Sequence, residues 1–276
     1  MMKVSLIVPT FGREQLLVQT LACALRQDLA NHEVIVVDQT ARHEPETEEF
    51  LRCHADRIRI LRLETPSVTK ARNAGIQSAS GDIMVFVDDD TTFEPAFLSR
   101  HLDAHREGND VVAGRILEES CRVASKPTWI SDALRYSGSN TCMTPGRTNT
   151  ITGCNFSISR KTVETIGYFD ERFQGVSTRE DSDYGLRAHR AGLTIRFAPD
   201  ACLFHHRSAS GGVTGVIRNQ FFDPSYYQCE LLFARKHFSP RTVFVYRIRL
   251  LLRGLKQLSK LIRQADRRAA ESLASR

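Results

Sequence analysis

Three short runs in the first part of the chain, Val4–Pro9, Glu33–Val37 and Ile83–Val87, are almost wholly apolar. A strand with one wet face alternates apolar and polar residues. A run without alternation suits a parallel strand buried on both faces of a sheet. Helical spacing fills the gaps. Glu14–Gln27 carries Leu16, Leu17, Leu21, Ala24 and Leu25 at helical intervals, and a weaker strand, Ile58–Leu63, and a helix, Thr69–Ser78, precede the third run. Strand, helix, strand, helix, strand predicts right-handed crossovers and an open α/β sheet. Such sheets bind ligands beyond the carboxyl ends of their strands. Polar side chains collect there: Thr10–Arg13 after the first run, Asp38 after the second, and Asp88, Asp89 and Asp90 after the third.

Residues 118–150 are rich in Ser, Thr, Asn, Pro and Gly and lack periodicity, so they read as a long, partly mobile loop carrying Trp129. Order resumes at Ile151 with TGCNFSISRKTVETIGYFDERF, a strand then a helix. REDSDYGLRAHRAG reads as a polar strand end followed by a helix, and TIRFAPDACLFHH as a strand pair. The tail, 241–276, is a basic amphipathic helix by composition, with Gly254 as a local weak point.

Composition narrows the class. With a formal net charge of +6, the chain suits anionic partners. It has no aromatic-studded basic platform, which disfavours nucleic acid. Seven cysteines are scattered singly, as expected of reduced thiols in a cytoplasmic protein. The N-terminal apolar stretch is too short for a signal peptide, and no run approaches the roughly 18 residues of a membrane span. A basic amphipathic tail can lie on an anionic membrane surface, or pack on the domain or a partner subunit.

The acidic triple is the sharpest chemical feature. Adjacent carboxylates repel, and a divalent cation relieves them while holding diphosphate oxygens. In an extended segment Asp88 and Asp90 point the same way and converge on one ion. Asp38 can accept a hydrogen bond from a nucleoside. Lys70, Arg72 and Asn73 open a helix whose N-terminus suits phosphate. Trp129 can stack on an acceptor sugar.

VSLIVPTFGRE, VIVVDQT, TKARNAGIQSASGDIMVFVDDD, TGCNFSISR, GYFDERF, REDSDYGLRAHRAG and LFHH, in that order, resemble the family-2 glycosyltransferases of the GT-A fold over about residues 3–240. The resemblance implies a Rossmann-like, mostly parallel open sheet flanked by helices, followed by a C-terminal helical appendage. It implies a glycosyltransferase domain over 1–240, with a nucleotide-binding half at about 1–117 and an acceptor-binding half at about 118–240. It also implies inverting transfer from a nucleoside diphosphate sugar to a hydroxyl on a glycan or a lipid-linked acceptor, with peripheral attachment of the tail at the cytoplasmic membrane face.

The family's DxD-type motif, here Asp88 and Asp90, holds Mn²⁺ or Mg²⁺ against the donor diphosphate, with Asp89 beside it. Pro9, Thr10, Arg13 and Asp38 match the nucleoside site, and Gly153, Cys154 and Asn155 the stretch beside the donor sugar. REDSD matches the motif that supplies the base: Asp181, with Glu180 touching acceptor or base, and Asp183 as the alternative on the same face of an extended chain. His205 or His206 completes the metal shell, and an imidazole ligand favours Mn²⁺. Asp38-Gln39-Thr40 stands where many relatives carry a second acid or Asn-Gly-Ser, which leaves base and sugar preference open.

Two other classes share parts of this pattern. A sugar nucleotidyltransferase wants a Gly-rich loop after the first strand, and PTFGRE has a single glycine. A non-catalytic carbohydrate- or Ca²⁺-binding homologue would not need the REDSD carboxylates.

Overall fold

The computed structural model describes residues 2–120, 122–208, 211–212 and 220–274. Its first elements alternate as the apolar runs require: β1 (Val4–Thr10), α1 (Gln15–Leu25), β2 (His32–Asp38), α2 (Pro45–Cys53), β3 (Ile58–Arg62), α3 (Val68–Ser78) and β4 (Ile83–Val87). β1 pairs parallel with β2 on one side and with β4 on the other, and β3 extends the sheet beyond β2. The chain therefore winds outward to β3 and returns across β1 to β4. A crevice opens at such a reversal, beyond the carboxyl ends of β1 and β4.

The second half comprises β5 (Thr91–Phe93), α4 (Phe97–Arg106), β6 (Val111–Leu117), the small pair β7 (Trp129–Ile130) and β8 (Tyr136–Ser137), β9 (Gly146–Arg147), β10 (Asn155–Ser159), α5 (Arg160–Ile166), α6 (Glu180–Arg190) and β11 (Ile195–His205). It completes a mixed sheet in the order β3-β2-β1-β4-β10-β6-β11-β5. β10 runs antiparallel between β4 and β6, whereas β11 runs parallel to β6. A 3-10 turn at Gln220–Phe222 leads to α7 (Pro224–His237) and α8 (Pro240–Ala274).

Both faces of the sheet are covered, which explains the missing alternation. Leu6, Val8, Val34, Val36, Val85 and Val87 pack with Leu17 and Leu21 of α1 and Leu98 and Leu102 of α4. Ile7, Ile35, Met84 and Phe86 face the other way, toward Ala71 and Ile76 of α3 and Tyr184 of α6. A third cluster joins Phe173 and Leu186 to Phe233 of α7 and to Tyr246 and Leu250 of α8.

Three expectations are corrected. TIRFAPDACLFHH forms one strand, not two. Its register against β6 breaks between Ala198 and Cys202, where Pro199 has no N–H to donate to the ladder. Within the expected 118–150 loop, Ile130, Leu134 and Cys142 are buried. Asn149 brackets Ile130, accepting from its N–H at 2.8 Å and donating to its carbonyl at 2.7 Å, so side chains supply what a ladder would. REDSD is not extended, because Glu180 already begins α6. Residues two apart on a helix diverge by about 200°, so Asp181 and Asp183 do not share a face. α8 runs through Gly254, where a Cβ would lie 2.9 Å from the Tyr227 hydroxyl; the glycine permits the helix to approach α7.

Candidate active site

A cleft of about 570 Å³ opens at the β1/β4 reversal. The three strand-end aspartates reach it in a turn, and each meets a different fate. Asp89 is buried. It accepts from Thr10 Oγ1 at 2.7 Å and from Arg13 Nε at 3.2 Å, and burial pushes its carboxyl up to about 7. Asp90 accepts from Arg13 Nη2 and from the Ser208 N–H, both at 3.0 Å. Burial raises the Asp90 carboxyl, but His205, Arg13 and Ser208 outweigh it and leave it below its usual range. Asp88 is the most open of the three, with its side chain 39% exposed. Arg13 thus carries much of the electrostatic relief that the bare sequence assigned to a cation.

His205, the last residue of β11, closes this side. Its Nε2 lies 3.1 Å from Asp90 Oδ1 and 4.0 Å from Asp88 Oδ2. Burial lowers its pKa, but the two carboxylates more than reverse that and raise it. Asp88 and Asp90 therefore do converge, on one imidazole. Asp88, Cys154 and His205 each offer a ligand atom within 4.8 Å of the others. Burial beside Asp88, Asp90 and Asp181 pushes the Cys154 thiol well up. Of the three ligand atoms, the Asp88 oxygen and the His205 nitrogen are donors that a borderline cation accepts.

Arg72 joins this corner to α6. Its Nη1 donates to Glu180 at 2.9 Å, its Nη2 donates to the Gly153 carbonyl at 3.2 Å, and Nη2 lies 4.0 Å from Asp88. A Cβ on Gly153 would stand 2.4 Å from that Nη2, so the glycine makes room for Arg72. Burial, with Asp181 adjacent, raises the Glu180 carboxyl to about 7 against the pull of Arg72. Asp181 faces the cleft, accepting from the Gly153 N–H at 3.1 Å and the Ser182 N–H at 2.5 Å.

The cleft thus collects Pro9, Thr10, Arg13, Arg72, Asp88, Asp89, Asp90, Gly153, Cys154, Glu180, Asp181 and His205. Other expected residues do not line it. Asp38 is fully buried and accepts from the Thr40 N–H at 2.9 Å, with His43 Nε2 at 2.9 Å and Arg62 at 2.5 Å. Lys70 is exposed on the first turn of α3. Asn73 locks Phe169, accepting from its N–H at 2.9 Å and donating to its carbonyl at 3.0 Å. Asn155 donates to the carbonyls of Arg115 and Ala201 beneath the sheet end. Asp183 turns away from the cleft toward Arg187, Lys236 and His237. His206, on the opposite face from His205, bonds Thr92 at 3.1 Å. Trp129 packs edge-on to His189, ring centres 5.4 Å apart.

Sequence reasoning missed Gln39, Glu118 and Arg207, which also line the cleft. Gln39 accepts from the Ser67 N–H at 2.5 Å, and Arg207 donates to Glu118 at 2.6 Å. A signal existed for Glu118: it follows the apolar VVAGRIL of β6, as Asp38 and Asp88 follow their strands.

Among solved structures, Staphylococcus aureus TarS in complex with UDP-GlcNAc aligns with a TM-score of 0.63 at 20% identity, over 84% of this chain and 66% of that one. GalNAc-T7 with UDP, GalNAc and Mn²⁺ aligns with a TM-score of 0.61 at 14% identity, over 74% of this chain and 44% of that one. These likenesses show the fold, which is of the GT-A type. In sequence, the succinoglycan biosynthesis protein ExoM of Rhizobium meliloti is 29% identical over 136 residues, 49% of this chain and 43% of that protein. The chain spans less than half the length of this curated relative. Residues 5–167, more than half of the sequence, match the model of glycosyl transferase family 2, and the chain belongs to that family.

Proposed function

We propose that this protein transfers a glycosyl group from a nucleoside diphosphate sugar to a hydroxyl acceptor with inversion at the anomeric carbon. One observation carries the reading: a single cleft gathers an open carboxylate–imidazole pair, Asp88 and His205, together with an acceptor-ready carboxylate, Asp181. The family membership supports it, as do two structural neighbours solved with UDP or a UDP-sugar.

Asp88 and His205, 4.0 Å apart at Oδ2 and Nε2, are the residues that would hold a divalent ion. Such an ion, Mn²⁺ in preference to Mg²⁺, would supply Lewis acidity to the departing diphosphate. The protein's own groups do the rest. Arg13 and Thr10 fix the aspartate turn. Arg72 holds Glu180 and places positive charge beside Asp88. Asp181, fixed by two backbone N–H groups, accepts the acceptor's hydroxyl proton as oxygen attacks the anomeric carbon. The first half of the chain, about 1–117, is read as the donor side and the second, about 118–240, as the acceptor side. The acceptor is a glycan or lipid-linked hydroxyl.

The test is product analysis on a panel of nucleotide sugars with Mn²⁺, UDP-sugars first. Release of the nucleoside diphosphate, with an inverted anomeric configuration in the product by NMR, is expected. Pyrophosphate released from a nucleoside triphosphate and a sugar phosphate would replace this reading with a nucleotidyltransferase.

A further inference from the structure

α8 carries two apolar faces. Tyr246 and Leu250 are buried with α7. On the other side Phe244, Ile248, Leu251, Leu255 and Leu258, three and four residues apart, form a stripe 45–63% exposed. A stripe of that spacing is an interaction face. From Arg241 to Arg263 the helix holds seven cations and no carboxylate. A second copy of the chain placed on this stripe would set like charges against each other. An anionic lipid interface meets both the stripe and the cations.

The same helix helps to wall a groove of about 490 Å³, in which Arg249 and Arg253 face Arg135 and Arg179 beside Tyr136. Among the described residues, no carboxylate lines it. Glu230 lies behind, accepting from Arg179 at 2.9 Å and from the Tyr246 hydroxyl. Guanidinium groups gathered in one concavity are suited to bidentate binding of phosphate oxygens. Arg179 and Tyr136 also line the adjoining pocket of about 360 Å³, which contains Glu180 and Asp181. The groove is therefore next to the proposed base, on a helix whose outer face is apolar.

We propose that this groove binds the phosphate of a lipid, with the exposed stripe of α8 lying in the bilayer that carries it. The acceptor is then a phosphate-linked glycolipid whose sugar enters the adjoining pocket beside Asp181. This acceptor assignment rests on the transfer reaction proposed for the cleft; the phosphate site itself does not.

The experiment is co-sedimentation of the full chain with phosphatidylcholine vesicles, plain or doped to equal charge with phosphatidylglycerol or with undecaprenyl diphosphate. Retention on doped but not plain vesicles is expected. Preference for the diphosphate identifies an acceptor lipid as the source, and equal retention identifies bulk anionic lipid. The R135Q/R249Q variant should weaken retention at least tenfold more than K256Q/R263Q, which removes equal charge outside the groove. L251D/L255D should abolish retention. Equal losses in the two charge-matched variants, or no retention on any doped vesicle, would overturn the proposal. Nucleotide binding, read separately by thermal shift, should be unchanged in all three variants, so failure at the groove is distinguishable from failure at the cleft.

Discussion

Arg72 of α3 and Glu180 of α6 form a buried ion pair at 2.9 Å, 108 residues apart in sequence, and this pair ties the aspartate turn to the carboxylates of α6. The Arg72 guanidinium also lies 5.4 Å from the Phe169 ring and 5.8 Å from the Phe156 ring, so little water reaches it. Removing one partner of a buried pair strands the other charge, which costs roughly 3–5 kcal/mol. R72M should destabilise the protein in urea melts, by less than that amount near pH 7, where Glu180 can take a proton, and by more at higher pH. R72M/E180Q should recover most of the loss, because no charge is then stranded. Equal stability of R72M and wild type would show that the pair is not dry.

D181N keeps the size of the side chain but leaves an oxygen for only one of the N–H groups of Gly153 and Ser182, since each bonds a different carboxylate oxygen. It cannot take a proton. Transfer should fall by about 10²–10⁴, the usual worth of a positioned base, while nucleotide affinity holds and the protein stays folded. Steady-state kinetics with calorimetry checks this. Full activity would remove Asp181 from its role and turn attention to Glu180.

How much of this was legible in the sequence depends on the kind of signal. The buried parallel strands were readable because continuous apolar runs mean burial on both faces, and their carboxyl ends located the cleft. The roles of Asn73, Asn155 and Asp183 were not readable. Each looks like a site residue by type and place, yet each is used for long-range bonding, to Phe169, to Arg115 and Ala201, and to His237 respectively. Those partners are set by packing across the fold. Asp183 was also misplaced because its segment was read as extended, whereas three carboxylates in the first turn suit a helix N-terminus.

Beneath the sheet, His101 and His105 share one hydroxyl: Ser157 Oγ lies 2.9 Å from His101 Nδ1 and 2.8 Å from His105 Nε2. Burial depresses their pKa values to about 3 and about 4. The unfolded chain therefore binds protons below about 6.5 that the folded chain refuses. The histidines' share of stability is fully present above about pH 6.5 and falls as pH drops, by up to about 1.4 kcal/mol per pH unit for each. Asp89 and Glu180 contribute an opposing gain over part of the same range, because their raised carboxyls take up protons in the folded state. Glu33 adds a second stage. Burial raises its carboxyl, but donors from Ser5 and Ser80 outweigh that and hold it at about 2, so its share is lost between about pH 4.5 and 2. Urea melts across this range test the order, and H101Q should flatten the upper stage.

Leu250 is 3% exposed where α8 meets α7. L250A should cost about 2–4 kcal/mol through lost transfer and cavity terms, whereas L251A, on the exposed stripe, should change stability by less than about 0.5 kcal/mol. Equal effects would show that α8 does not pack with this face inward.

The central claim is that Asp88 and His205 form the divalent-cation end of a nucleoside diphosphate site. Titration calorimetry of UDP, GDP, dTDP and CDP, each with and without Mn²⁺, tests it on wild type and D88N. One nucleotide should bind with Mn²⁺ at least tenfold more tightly than without it, and D88N should lose this gain while remaining folded. Binding of no nucleotide, or a metal-assisted gain that D88N retains, would contradict it.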